Sequence, residues 1–247
     1  MRIPILCLLG VVIFLSMGVE ASATDLAELI RKVEQQYHGD SSEVEIEMTI
    51  KTGHWTRTLK MESWSLGRER FLTRILSPAK EKGVATLKVE KEVWNYLPKV
   101  DRVIRIPPSM MGGAWMGSHI TNDDLVKANH IDEDYDFSLL NEDDQGWIIE
   151  GIPKPNAPVI WGKIVYRLQK EPLVPLSVDY FDEEGLLVRK ILFEDVQTVS
   201  DRTIPLRMIV QPVEKPEEQT RMQYRKVHFD VELDENYFSL GRLKGRR

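Results

Sequence analysis

The sequence predicts a mainly β fold: a curved antiparallel sheet whose apolar face is covered by short helices and loops. Three observations carry this expectation. Apolar and polar residues alternate with a period of two along a succession of short runs from Glu43 to Phe229. Gly, Pro, Asn and Asp stand between those runs, as turns between short strands require. No long helical pattern separates them, whereas parallel strands would need such crossovers. A composition of 42% hydrophobic and 29% charged residues is that of an ordinary folded protein, which excludes disordered, collagen-like and coiled-coil chains. The formal charge of -6 argues against general nucleic-acid binding, which needs an excess of Lys and Arg on one face.

The first 23 residues differ in kind from the rest. Arg2 precedes an apolar run from Ile3 to Gly18, and Ala21-Ser22-Ala23 fits an A-x-A cleavage site, so residues 1–23 are read as a secretory signal peptide. The run falls short of the roughly 20 residues that span a bilayer. Cys7, the only cysteine, lies within it and too near the start to be a lipidation signal. Thr24 is therefore expected to begin a mature chain without a thiol, hence without disulfides, thiolate metal sites or a cysteine nucleophile. The expected compartment is the periplasm, and residues 24–247 are expected to form a single domain.

"TDLAELIRKVEQQY" predicts an amphipathic helix. Leu26, Leu29, Ile30, Val33 and Tyr37 recur at steps of three and four, and Thr24 can cap it. At Glu43 the period becomes two, with Val44, Ile46, Met48 and Ile50 on one face against Glu43, Glu45, Glu47 and Thr49 on the other. The alternation returns in "WTRTLKMESW", "ERFLTRIL", "VATLKVE", "EVWNYL", "RVIRI", "GWIIEGI", "GKIVYRLQ", "PLSVDYF", "LLVRKILFED", "PLRMIVQ" and "TRMQYRKVHF". "DEEG" at Asp182 to Gly185 marks a hairpin turn. Thr121 three residues before Asp124 resembles a capping box opening a short helix, "TNDDLVKAN". Ile106 to Gly117, "IPPSMMGGAWMG", can be neither a regular strand nor a helix, because its prolines and glycines break both. "YFSL" reads as a closing strand or turn, and the tail "GRLKGRR" as mobile.

Short motifs with firm catalytic mechanisms are missing: there is no G-x-S-x-G, Walker loop, G-x-G-x-x-G or H-E-x-x-H. No catalytic residue, metal or cofactor is assigned. His119 and His130 lie near Asp123, Asp124, Asp132, Glu133, Asp134 and Asp136, but at spacings that match no zinc or EF-hand template. A solvated acidic loop accounts for them better. Met110, Met111, Trp115 and Met116 are a different case. Left in water, each large apolar side chain would forgo about 1.5–3 kcal/mol, so the loop is expected to cover something apolar, either as a ligand lid or as core filler. A one-sided sheet, an amphipathic helix and an apolar loop together suggest a cavity for a greasy ligand. An acyl chain of about fifteen carbons would cost on the order of 12 kcal/mol to expose, at about 0.8 kcal/mol per methylene, so its passage through water needs a shield.

The run from Val93 to Phe137, "VWNYLPKVDRVIRIPPSMMGGAWMGSHITNDDLVKANHIDEDYDF", resembles the signature of the LolA-like outer-membrane lipoprotein-sorting family within the LolA/LolB lipoprotein carrier superfamily. The resemblance extends over nearly all of the chain after residue 23. It implies an unclosed antiparallel β-barrel with a small helical lid around an apolar cavity, and a monomeric periplasmic carrier. The implied partners are the acyl chains of a lipid or lipoprotein, an inner-membrane transporter and an outer-membrane acceptor. On family positions stand Trp94, Tyr96, Leu97, Met110, Trp115 and Met116, which with Met111 are the expected cavity or lid residues. Arg102 and Arg105 alternate with Val103, Ile104 and Ile106; they read either as a solvated outer face or as a gate or headgroup contact. His119-Ile120 depart from an acidic residue and an aromatic expected there. The alternatives to a carrier are a metal-assisted hydrolase using His119 with Asp123 or Asp124, and a non-enzymatic adaptor of a transport system.

Overall fold

A computed structural model describes residues 25–127 and 130–245 of the chain. The expected leader, Thr24 and the last two arginines lie outside the described residues. Helix α1, Leu26–His38, starts at Asp25, whose carboxylate accepts from the Glu28 backbone N–H at 3.2 Å. Its stripe of Leu29, Ile30 and Val33 is buried, as the period of three and four demands.

Six strands follow: β1 Ser41–Lys51, β2 Thr56–Leu66, β3 Arg70–Ser77, β4 Ala85–Val89, β5 Glu92–Leu97 and β6 Arg102–Arg105. The segment after them is irregular, with single 3-10 turns at Pro108–Met110 and Trp115–Gly117. Helix α2, Asn122–Lys127, opens on the expected reciprocal cap: Asp124 N–H donates to Thr121 Oγ1 at 3.1 Å, and Thr121 N–H donates to Asp124 Oδ2 at 2.8 Å. Helix α3, Ile131–Asp134, is one turn. Then come β7 Tyr135–Glu142, β8 Gly146–Pro153, β9 Lys163–Gln169, β10 Val174–Phe181, β11 Leu187–Val199, β12 Arg202–Pro212 and β13 Gln219–Phe229, with the one-turn helix α4, Leu240–Leu243, near the end.

All thirteen strands form one antiparallel sheet in the order β6-β5-β4-β3-β2-β1-β13-β12-β11-β10-β9-β8-β7. Two meanders thus meet where β1 pairs with β13, Met48 facing Met222, and β6 and β7 are left as the edges of an open sheet. Among the described residues no helix is long and apolar enough to cross a membrane.

Two elements depart from the sequence expectation. Strand β7 lies where clustered acids predict a solvated loop; its Tyr135 and Phe137 face inward between polar neighbours, and Tyr135 is buried in the core. The final segment is docked rather than mobile as far as Gly245. Leu243 is completely buried, and the Arg74 guanidinium donates to the carbonyls of Arg242 at 2.6 Å and Leu243 at 3.3 Å.

The two faces of the β2–β5 region are both covered. Ser63, Thr73 and Thr86 point to the concave side, while Trp64, Leu72, Leu87 and Trp94 form a cross-strand row on the other side. That outer row packs against Tyr237, Phe238 and Leu243 of the C-terminal segment. On the concave side, Trp115 and Ile120 close over the core of β1, β2, β12 and β13, while α1 and α3 pack on β8 to β10.

Candidate functional site

Between the concave face and the covering helices lies a cavity of about 300 Å³, at the lower end of the roughly 300–1,000 Å³ usual for ligand pockets. Its walls come from strands far apart in sequence: Val44 and Ile46 of β1, Val178 of β10, Ile191 of β11, Met208 and Val210 of β12 and Met222 of β13. These are inward positions of alternating strands, so the apolar lining follows directly from the period-two pattern.

Trp115 roofs part of this cavity and is buried, its indole N–H donating to Thr86 Oγ1 at 3.0 Å. The loop that carries it is tied down. Asn122 Nδ2 donates to the carbonyls of Met110 at 3.3 Å and Gly113 at 3.0 Å, and Asp123 N–H donates to Met111 O at 2.8 Å. Met116 adopts the left-handed conformation at φ 51° and Gly117 follows at φ 70°, which turns the chain sharply back while Arg57 donates to the Met116 carbonyl.

One end of the cavity is polar. Arg189 of β11 holds Asp124 through two hydrogen bonds, 2.7 Å and 2.9 Å, and stacks on Trp161 and Tyr180 with its guanidinium carbon 4.7 Å and 4.4 Å from the ring centres. Despite burial, the Arg189 and Thr121 hydrogen bonds keep the Asp124 carboxyl below the usual carboxylate range. Asp124 therefore both caps α2 and ties it to the sheet. Nearby, Glu34 of α1 accepts from the Tyr166 hydroxyl at 3.4 Å, and burial together with the Asp132 charge pushes its carboxyl up to about 8. Arg68 pairs with Asp132 and, more loosely, with Glu133 at 3.4 Å and Glu34 at 3.9 Å.

The structure places the sequence-derived candidates in different surroundings. Trp115 lines the cavity, and Met116 packs against the same core cluster. Met111 is half-buried. Met110 is 58% exposed, so the expectation that each large side chain of the loop covers apolar surface does not hold for it. Trp94 and Tyr96 occupy outward positions of β5 and pack with the C-terminal segment, and Leu97 is exposed. Arg102 and Arg105 are exposed on edge strand β6, where Arg105 pairs with Glu92; charge on an edge strand discourages pairing with another chain.

The residues of the hydrolase alternative are committed elsewhere. His119 contacts Thr220 Oγ1 at 2.9 Å and Glu218 at 3.2 Å, Asp123 pairs with Lys127 at 2.9 Å, and Asp124 is held by Arg189. Among the described residues no three His, Cys, Asp or Glu side chains form a metal-binding group.

Sequence reasoning missed Glu34, Tyr37, Arg68 and Arg189, all of which line the cavity. Two of them carry a signal. Glu34 stands four residues after Ile30 on the apolar stripe of α1, and Arg189 shares the inward parity of Ile191 and Phe193 on β11. A charge at an apolar position of a clean pattern is the mark to look for.

A family model described only as "Uncharacterized protein" matches residues 67–245. Among solved structures, an outer-membrane lipoprotein-sorting protein domain from Vibrio parahaemolyticus is similar at 25% identity and a TM-score of 0.77, over 88% of this chain and 97% of that one. A DUF1329 family protein from Desulfovibrio piger shares 24% identity with a TM-score of 0.79, again over 88% and 97% of the two chains. A LolA superfamily protein from Nitrosomonas europaea gives 20% identity and a TM-score of 0.72, covering 87% and 97%. No curated protein matches significantly. The family model, these likenesses and the motif from Val93 to Phe137 agree, and the chain belongs to the LolA-like outer-membrane lipoprotein-sorting protein family.

Proposed function

We propose that the protein is a non-enzymatic periplasmic carrier that shields the acyl chains of a lipid or lipoprotein and moves it between the inner and outer membranes. The observation that carries this reading is the cavity of about 300 Å³ walled by Val44, Ile46, Val178, Met208, Val210 and Met222 inside an open sheet. An interior of this kind gives an acyl chain the contacts it lacks in water, at about 0.8 kcal/mol per methylene. The similar Vibrio parahaemolyticus domain carries the name of an outer-membrane lipoprotein-sorting protein domain, which supports the same role here. Export rests on the leader-like residues 1–23, with cleavage near Ala23. Carriage between the two membranes requires a partner at each, a transporter at the inner membrane and an acceptor at the outer one. The test is mass spectrometry of organic extracts from protein purified out of the periplasm. A bound acyl lipid is expected, at up to one molecule per chain. Protein that arrives empty and takes up no acyl lipid from vesicles would overturn the reading.

A further inference from the structure

The cavity is apolar but not uniformly so, and its polar atoms differ in kind from those of a site for an anion. Three guanidinium groups line it, and each has an acidic partner: Arg189 with Asp124, Arg68 with Asp132 and Glu133, and Arg70 with Glu235 at 2.9 Å. A phosphate or carboxylate placed among them would compete with carboxylates already there. What the wall leaves unmatched is different. Among the described residues, Glu34 Oε2, Tyr37 Oη and Arg189 Nε are buried polar atoms of the cavity lining that have no hydrogen-bond partner.

A buried polar group without a partner is costly, so each such atom needs an explanation. All three act here as donors. The Arg189 Nε–H can only donate. Burial holds the Tyr37 phenol far above its ordinary range, so it stays protonated. Burial and the Asp132 charge push the Glu34 carboxyl up to about 8, so it holds its proton at neutral pH; one carboxyl oxygen accepts from Tyr166, and the other, 3.9 Å from an Arg68 guanidinium that Asp132 already engages, makes no hydrogen bond and can carry the hydroxyl. Glu34 and Tyr37 stand three residues apart on one face of α1, beside Val33, which also lines the cavity. Donors without acceptors in a site with no unpaired cation specify an uncharged acceptor.

We infer that the cavity selects an uncharged acyl lipid whose head presents ester or amide carbonyls, and that Glu34 and Tyr37 hold those carbonyls by hydrogen bonds while the chain lies against the strands. The inference rests on the carrier reading and narrows its ligand class.

The experiment measures binding of three probes to the mature full-length protein at pH 7: 1-monooleoylglycerol, its ether analogue without the carbonyl, and oleate. The expected order places the ester about fivefold or more ahead of the ether, and further ahead of oleate. Tyr37→Phe removes a hydroxyl that has no partner in the fold, so the variant should fold, and it should reduce ester affinity about fivefold while leaving the ether unchanged. Glu34→Leu should do the same, and Glu34→Gln, which keeps a donor, should restore the preference. Equal affinity for all three probes, tightest binding of oleate, or an ester preference that survives both Tyr37→Phe and Glu34→Leu would overturn this inference while leaving the carrier reading intact. Failure of every probe to bind would bring down both.

Discussion

Asp124 does two jobs with one carboxylate, capping α2 through Thr121 and gripping Arg189 on the sheet. Breaking a buried pair from one side strands the other charge, at a cost of about 3–5 kcal/mol. Asp124→Asn and Arg189→Met should each lose stability of that order in urea unfolding, while the double variant should lose clearly less than the two combined. Additive losses would show that the pair is not coupled. Glu34 makes a second prediction at this scale. Its carboxyl titrates at about 8 in the folded chain against 4.5 when exposed, so between these values the folded state holds a proton that the unfolded state has released. Stability must then fall as pH rises through that window. Melting temperature is expected to decline from pH 5 to pH 8, and Glu34→Gln should flatten the decline and melt higher than the parent at pH 8. A variant with the parent's slope would assign the pH dependence to other groups.

Elements show where a polar-looking sequence conceals packing. The C-terminal "GRLKGRR" is basic enough to suggest a solvated tail, yet Leu240–Leu243 forms a turn of helix whose Leu243 fills a hollow beside Leu72, Leu87 and Phe238. Burial of one leucine outweighs the solvation of its neighbours, because the Arg242 side chain can stay near water over the Tyr237 ring while its backbone bonds to Arg74. Leu243→Ala should therefore cost about 2–5 kcal/mol, the usual range for a buried leucine. A change below about 0.5 kcal/mol in chemical denaturation would mean that the helix is not anchored in solution. Strand β7 conceals its packing in the same way, since Asp134, Asp136 and Ser138 alternate with its two inward aromatics, Tyr135 and Phe137, and mask them.

At the scale of the molecule, β1 sits in the middle of the sheet between β2 and β13, so Ser42 pairs with Phe229 near the other end of the chain. Each meander presents an open edge until that central pairing forms, and the core over it is drawn from both meanders. We expect the chain from residue 25 onward to unfold as one cooperative unit, with slow folding because its closing contacts are distant in sequence. Coincident transitions by tryptophan fluorescence and far-ultraviolet circular dichroism would show this. Two resolved transitions, one per meander, would contradict it.

The amino-acid sequence by itself determined everything that rests on local periodicity: helix α1, nearly all the strands, the Asp182 hairpin turn, the Thr121 cap of α2 and the antiparallel class. It also determined the family, because the run from Val93 to Phe137 is a contiguous motif. Only the tertiary structure decided which side of the sheet each apolar set covers. Trp94 and Trp115 belong to one motif, yet period two sends Trp94 outward to the C-terminal segment, and the loop folds Trp115 back over Thr86 on the concave side. The cavity's polar end was hidden for the same reason. Glu34, Arg68, Asp124 and Arg189 lie on four separate segments, and nothing in their spacing along the chain foretells that closing the central β1–β13 pairing brings them to one cavity. Charges on amphipathic elements are solvated by default, and only the packing of α1 and α2 against the sheet strips the water that would otherwise satisfy them.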